Sequence, residues 1–230
     1  MLPRTLAWLG GAVFVASLIF CGWTYLVVWS SAERPASGWG DVGLNALLVT
    51  IFASHHSLFA RDTVKRWLAR VVPEALLRST YVWAASALLI GMLWLWHPLG
   101  GEVYRLSGWL GLAAAAVQLT GVWLIVQAVR AIDTLELAGI RQFLPTRATR
   151  LALVVGGPYR LVRHPLYLGW ILVTFGTPHL TGDRLAFAAL TTAYVLVAVP
   201  WEERSLARAF GAEYVQYSAR VRWRVIPYFY

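Results

Sequence analysis

The 230-residue chain is 59% hydrophobic and only 13% charged, about half the charged share of an ordinary soluble domain. That composition excludes a disordered protein, and its 13 tryptophans fit the interfacial belts of a membrane protein. The net charge of +9 is spread over separate loops between apolar runs, a pattern of membrane topology, so no nucleic-acid partner is expected.

A bilayer-crossing helix needs about 20 apolar residues. The first run, Leu6–Trp29, exceeds a signal-peptide core and is followed by no small-x-small cleavage site, so it reads as a retained membrane helix. Cys21 within it is the sole cysteine, which excludes a disulfide framework and a Cys-based metal site. Three more runs follow: Val42–Leu58, Tyr81–Trp96 and Leu106–Val129. Two shorter ones, Leu166–Leu180 and Leu185–Trp201, are separated by Thr181-Gly182-Asp183, a set of turn formers. They read as a tight helical hairpin.

The expected fold is therefore all-α and polytopic: four transmembrane helices, a C-terminal helical hairpin and cytoplasmic tail helices. It is read as one integral membrane domain over residues 1–230. Residues 1–130 are the four-helix scaffold, and residues 131–230 the cofactor-binding hairpin and cytoplasmic elements. No strand pattern is visible.

Cations alternate with the crossings. The loop at 30–41 is poor in them, whereas Arg61, Lys65, Arg66, Arg70 and Arg78 crowd the next loop. Only Arg105 marks the third loop, and Arg130, Arg141, Arg147, Arg150, Arg160 and Arg163 follow the fourth run. The positive-inside rule then puts both termini and the 130–163 stretch in the cytoplasm, so any active site faces that side. Asp183 and Arg184 suit an outer or interfacial turn.

Two blocks carry the densest chemistry. In "GPYRLVRHPLYLG", residues 157–169, Pro165 disfavours helical geometry at His164 and suits the first position of a helix. Arg160, Arg163 and His164 then sit at a helix mouth, where free N–H groups and the dipole favour an anion. In "PWEERSL", Glu202 and Glu203 end an apolar run. Carboxylates near lipid need partners, and a hairpin brings its two ends together, so Arg160 and Arg163 are the natural ones. Such a crevice can grip a zwitterion, arginine taking a carboxylate and glutamate an ammonium. Tyr214 and Tyr217 are available to pack on an aromatic ligand. His55 and His56 are adjacent and point to different helix faces, so no metal site is expected. Neither a GxGxxG after a strand nor a GxSxG elbow is present.

The series "GPYRLVRHPLYLG", "EERSL", "FGAEYVQYSARV" and "VIP" resembles the C-terminal signature of the isoprenylcysteine carboxyl methyltransferase and phospholipid methyltransferase group. "HHSLFARDTVKRWL", "RSTYVWAASALLIGMLWLWHPL" and "LELAGIRQ" resemble the bacterial methanethiol S-methyltransferases and the related NnrU-type proteins. One departure is Asp133-Thr134, where the methanethiol group tends to carry Asn-His. The resemblance implies an integral membrane methyltransferase that uses S-adenosylmethionine without a Rossmann domain. It implies a bacterial inner-membrane location. It assigns the cofactor to Tyr159, Arg163, His164, Pro165, Tyr167, Gly169, Glu202 and Glu203, with Arg163 and Glu203 catalytic. It assigns the methyl acceptor to His56, Arg78, Tyr81, Arg141 and Gln142. The partners it implies are the lipid bilayer and a small or lipophilic acceptor, a thiol first. Prenylcysteine carboxylate or a phospholipid amine stays open as acceptor, as does a non-catalytic NnrU-type role. A sterol-type reductase would need a longer chain and a dinucleotide site.

Overall fold

The computed structural model describes residues 2–35, 38–59, 61–132, 138, 140 and 152–230. They form ten regular elements: α1 (Leu2–Leu26), α2 (Trp39–Phe59), α3 (Asp62–Leu68), α4 (Glu74–Trp94), β1 (Glu102–Arg105), α5 (Gly108–Ala131), α6 (Pro165–Phe175), β2 (His179–Thr181), α7 (Gly182–Phe210) and α8 (Ala212–Arg220). Two 3₁₀ turns, Val28–Ser30 and Gly157–Arg160, join them. The protein is mostly helical, and five helices are long and apolar enough to cross a membrane: Arg4–Ser30, Trp39–Phe59, Leu76–Trp94, Gly108–Ala131 and Gly182–Phe210. Their surfaces expose large apolar side chains, among them Trp109, Leu112 and Leu119 of α5. In water such faces would aggregate; against lipid tails they are correctly solvated.

The chain divides into two compact units, residues 1–101 with 134–146, and 102–133 with 147–230. In the first, α4 packs on α1 and α2. Asn45, fully buried on α2, clamps the backbone of His97: its amide donates to the His97 carbonyl at 2.8 Å and its oxygen accepts from the His97 N–H at 2.9 Å. A polar residue inside an apolar bundle is tolerated because each side of its amide is used.

The second unit holds α5 against α6 and α6 against α7. Glycine makes the α5–α6 approach so close. A Cβ at Gly121 would stand 2.6 Å from the Gly169 carbonyl oxygen, and one at Gly169 would stand 2.8 Å from that of Gly121. Such glycine-to-glycine contact lets two backbones pack where hydrophobic expulsion from water offers no help. Below it, Leu124, Val162, Leu168, Val199 and Val225 form a buried core contributed by α5, α6, α7 and the segment after α8.

Two features differ from the sequence expectation. The segment between α6 and α7 is a six-residue connection in which β2 pairs antiparallel with β1, instead of a three-residue turn. These strands are four and three residues long, too short to leave an alternating signature. Asp183 and Arg184, expected in an outer or interfacial turn, are instead buried in the first turn of α7. The two helices are also unequal. At 11 residues, α6 is about 16 Å long. At 29 residues, α7 is about 43 Å long, well beyond a hydrocarbon core of about 30 Å.

Candidate active site

The site is built where α6 begins and α7 emerges. Pro165 lacks an N–H and has a fixed φ, so it opens α6 at no cost in hydrogen bonds. His164, just before it, is held out of the helical region at φ −123° and ψ 66°. That extended backbone pairs with the segment after α8. The Arg163 N–H donates to the Trp223 carbonyl at 2.9 Å, and the His164 N–H to the Arg224 carbonyl at 2.8 Å.

The side chains converge on Glu203. Arg163 Nε lies 3.0 Å from Oε1, Arg224 Nε lies 3.0 Å from Oε2, and His164 Nε2 lies 3.5 Å from Oε1. The Glu203 side chain is 11% exposed and that of Arg163 12%, so this pairing is screened little by solvent. Next to it, Tyr167 donates its hydroxyl to Glu202 Oε2 at 2.7 Å, and His164 Nδ1 lies 3.6 Å from that same oxygen. The rings of His164 and Tyr167 stack with an interplanar angle of 8°.

A cleft of about 330 Å³ opens beside this cluster, lined by Arg163, Pro200, Glu203, Arg204, Ala207, Tyr214, Val215, Ser218 and Arg224. Arg163 Nε and His164 Nε2 both face Glu203 Oε1, at 3.0 and 3.5 Å, yet these buried atoms, like the nearby Tyr214 Oη, make no hydrogen bond of good geometry. Four such atoms in one place are unusual for a finished protein interior, where nearly every buried polar group is bonded. They fit a wall that a polar ligand completes. Cations outnumber carboxylates around the cleft, which suits a ligand with an anionic end.

Three tyrosines frame the cluster. Burial, then the charge of Glu202, pushes the Tyr159 phenol up to about 12. Tyr217 is likewise pushed up to about 12, by burial first. Tyr214 is raised by burial and then by the charge of Glu203. All three stay protonated donors at neutral pH. Tyr217 spends its hydroxyl on the Tyr159 carbonyl at 2.8 Å, so it is a structural brace, and Tyr214 is the one of the helix pair that lines the cleft.

The expected residues are distributed as follows. Arg163, His164, Tyr167, Glu202 and Glu203 come together. Pro165 is buried and serves as the helix start. Gly169 lies one turn further, against Gly121. Arg160 is exposed and forms no ion pair among the described residues. In the other unit, Tyr81 shares a 2.6 Å hydrogen bond with His56 Nδ1, and the Arg78 guanidinium lies 5.2 Å from the Tyr81 ring centre. Arg141, Gln142 and the Asp133-Thr134 pair lie outside the described residues. Arg224 was missed. Its signal was the alternation Val221, Trp223, Val225 against Arg222 and Arg224, the mark of an extended segment with one apolar edge.

Residues 109–213, which carry both motif blocks, match the phospholipid methyltransferase family. Methanethiol S-methyltransferase 2 of Bradyrhizobium diazoefficiens is 39% identical over 214 residues, covering 90% of this chain and 82% of its own. The methanethiol S-methyltransferase of Pseudomonas deceptionensis is 37% identical over 198 residues, 81% of this chain and 74% of its own. Nurim of Xenopus laevis is 30% identical over 187 residues, 74% of this chain and 64% of its own. No solved structure matches. The chain belongs to the family of membrane methyltransferases that carries the phospholipid methyltransferase domain and includes the methanethiol S-methyltransferases.

Proposed function

We propose that the protein transfers a methyl group from S-adenosylmethionine to a small apolar thiol, of the methanethiol type, at the cytoplasmic face of a bacterial inner membrane. The single observation that carries the donor assignment is the cluster at Glu203: guanidinium, imidazole and carboxylate groups with buried, incompletely bonded atoms beside a cleft. The methionine end of the donor has one carboxylate and one ammonium, which match those groups in kind. The acceptor assignment is supported by the names of the relatives at 37–39% identity.

The donor supplies an already activated sulfonium methyl, so the protein's work is alignment and exclusion of water. Tyr159, Arg163, His164, Tyr167, Glu202 and Glu203 hold the donor, Pro165 and Gly169 fixing the helix that carries the block. A thiol acceptor would lose its proton to water and attack the methyl carbon as thiolate, the bond to the sulfonium sulfur breaking so that the donor leaves as its neutral thioether. A nearby cation such as Arg163 favours the thiolate form. His56, Arg78, Tyr81, Arg141 and Gln142 are assigned to the acceptor.

The membrane reading adds orientation. Four helices and an α6–α7 hairpin, with α6 dipping in and α7 crossing, fit the alternation of basic and non-basic loops. Glu203 is 21 residues after Gly182, about 32 Å along α7, which is the thickness of a hydrocarbon core. Its carboxylate then emerges at the cytoplasmic border, reachable both by a water-soluble donor and by a lipid-soluble thiol.

The test is labelled S-adenosylmethionine with purified protein and four acceptors: methanethiol, a longer thiol, prenylcysteine and phosphatidylethanolamine. Label in the volatile thioether of methanethiol is expected. Label only in prenylcysteine or lipid would overturn the thiol assignment, and label in none, with no donor binding by calorimetry, would overturn the enzyme reading for this site.

A further inference from the structure

We propose that Arg224, delivered by the extended segment after α8, joins Arg163 in a double guanidinium clamp for the carboxylate of the donor's amino-acid end. This rests on the reading that the cleft takes S-adenosylmethionine.

Both arginines meet Glu203 through Nε, at 3.0 Å each. That leaves the terminal nitrogens, the fork of each guanidinium, for other work. Arg163 makes no further side-chain hydrogen bond among the described residues, and Arg224 makes only a long one, 3.5 Å from Nη1 to the Tyr230 hydroxyl. Both side chains line the cleft. Two guanidiniums held on the two oxygens of one carboxylate beside the cleft suit a carboxylate ligand, because each planar fork can offer parallel N–H donors to its two oxygens.

Glu203 then has a different part from the one a salt bridge suggests. It cannot accept an ammonium cheaply while two guanidiniums and His164 already surround it. It separates the two arginines, whose like charges would otherwise repel, and aims their forks. The donor's ammonium falls instead to Glu202, which is the more exposed of the pair at 43% and, among the described residues, is bound by Tyr167 and the edge of His164.

Arg224 is also fixed for the task before any ligand arrives. Its carbonyl accepts from His164, its neighbour Val225 is fully buried in the core, and its guanidinium lies 5.4 Å from the Tyr230 ring centre. A preset guanidinium loses little freedom on binding.

The experiment measures binding of S-adenosylmethionine and of decarboxylated S-adenosylmethionine by calorimetry, on the full protein in detergent and on Arg224→Gln and Arg224→Lys. In the wild type the decarboxylated compound is expected to bind on the order of tenfold to a hundredfold more weakly. Arg224→Gln should weaken S-adenosylmethionine by that same factor and leave the decarboxylated compound within about twofold. Arg224→Lys should recover part of the loss, since a point charge replaces a fork. Equal losses for both compounds in Arg224→Gln, or no loss for either, would overturn the clamp while leaving the donor reading standing. Binding of neither compound to the wild type would overturn the donor reading and the clamp with it. Thermal unfolding of each variant, with circular dichroism, confirms that the comparison is between folded proteins.

Discussion

Arg184 at the start of α7 and Glu203 towards its other end are both buried, yet they are bonded differently. At its start Arg184 is 4% exposed and donates to the carbonyl of His179 and the hydroxyl of Thr177, while the Thr181 hydroxyl accepts the Arg184 N–H. His179 and Thr181 belong to β2, and Thr177 to the connection that precedes it. Towards the other end Glu203 meets Arg163, Arg224 and His164, and its own Oε1, Arg163 Nε, His164 Nε2 and Tyr214 Oη lack a well-formed hydrogen bond. Carbonyl and hydroxyl partners tie the Arg184 side chain to the connection before α7. Charged partners with spare capacity beside a cleft leave a place for something else.

The sharpest way to break this contrast is to neutralise each end. Glu203→Gln should reduce methyl transfer and donor affinity at least a hundredfold, because the carboxylate that aims Arg163 and Arg224 is gone, and it should also lower the unfolding midpoint, since leaving buried charges unpaired costs about 3–5 kcal/mol of stability. Arg184→Gln should lower the unfolding midpoint by several degrees yet leave the donor affinity of the folded protein within about twofold. Comparable loss of affinity in both variants would erase the distinction.

A second pair compares glycines. Gly121→Val places carbon 2.6 Å from the Gly169 carbonyl, and overpacking of this kind costs about 1–3 kcal/mol. Gly22 faces open space, so Gly22→Ala should be neutral or stabilising by up to about 1 kcal/mol. Urea or thermal unfolding in detergent reads both. If Gly121→Val proves as stable as the wild type, the α5–α6 contact is looser than described.

Smaller effects follow at the rim. Tyr167→Phe removes the 2.7 Å bond to Glu202, worth about 1 kcal/mol, and should raise the donor's KM several-fold with kcat nearly unchanged. The smallest signal is in alkali. Tyr159 and Tyr217 titrate near 12 in the folded protein, against about 10 unfolded. The folded state holds protons that the unfolded chain has released, so this stability is complete below pH 10 and is lost as pH rises towards 12. A midpoint that climbs over that range would contradict the buried-phenol assignment.

Four of the five candidate spans were legible by the length of their apolar runs, whereas α7 read as the short run Leu185–Trp201, because its helix continues past the charged Glu202 and Glu203 to Phe210. The motif blocks were legible because a His-Pro step and a Glu pair at the ends of apolar runs have few structural excuses. What stayed hidden depends on distance in three dimensions. The β1–β2 pair joins segments over 70 residues apart, and each is too short for periodicity. Gly121 looks like any helical glycine until Gly169 is set against it. In the sequence Arg224 is one more cation of a basic tail, since nothing local says that its carbonyl will meet His164.

The pairing of 163–164 with 223–224 also bears on biogenesis. All five candidate spans are synthesised before residue 223. A chain halted after α8 is therefore fully able to insert, but the N–H groups of Arg163 and His164 have not yet met their acceptors and Val162 lacks Val225 beside it. Insertion and competence are thus separate events, and the second waits for a short extended segment to dock. A membrane protease or chaperone that probes exposed backbone at that position would distinguish a finished molecule from one that is merely embedded.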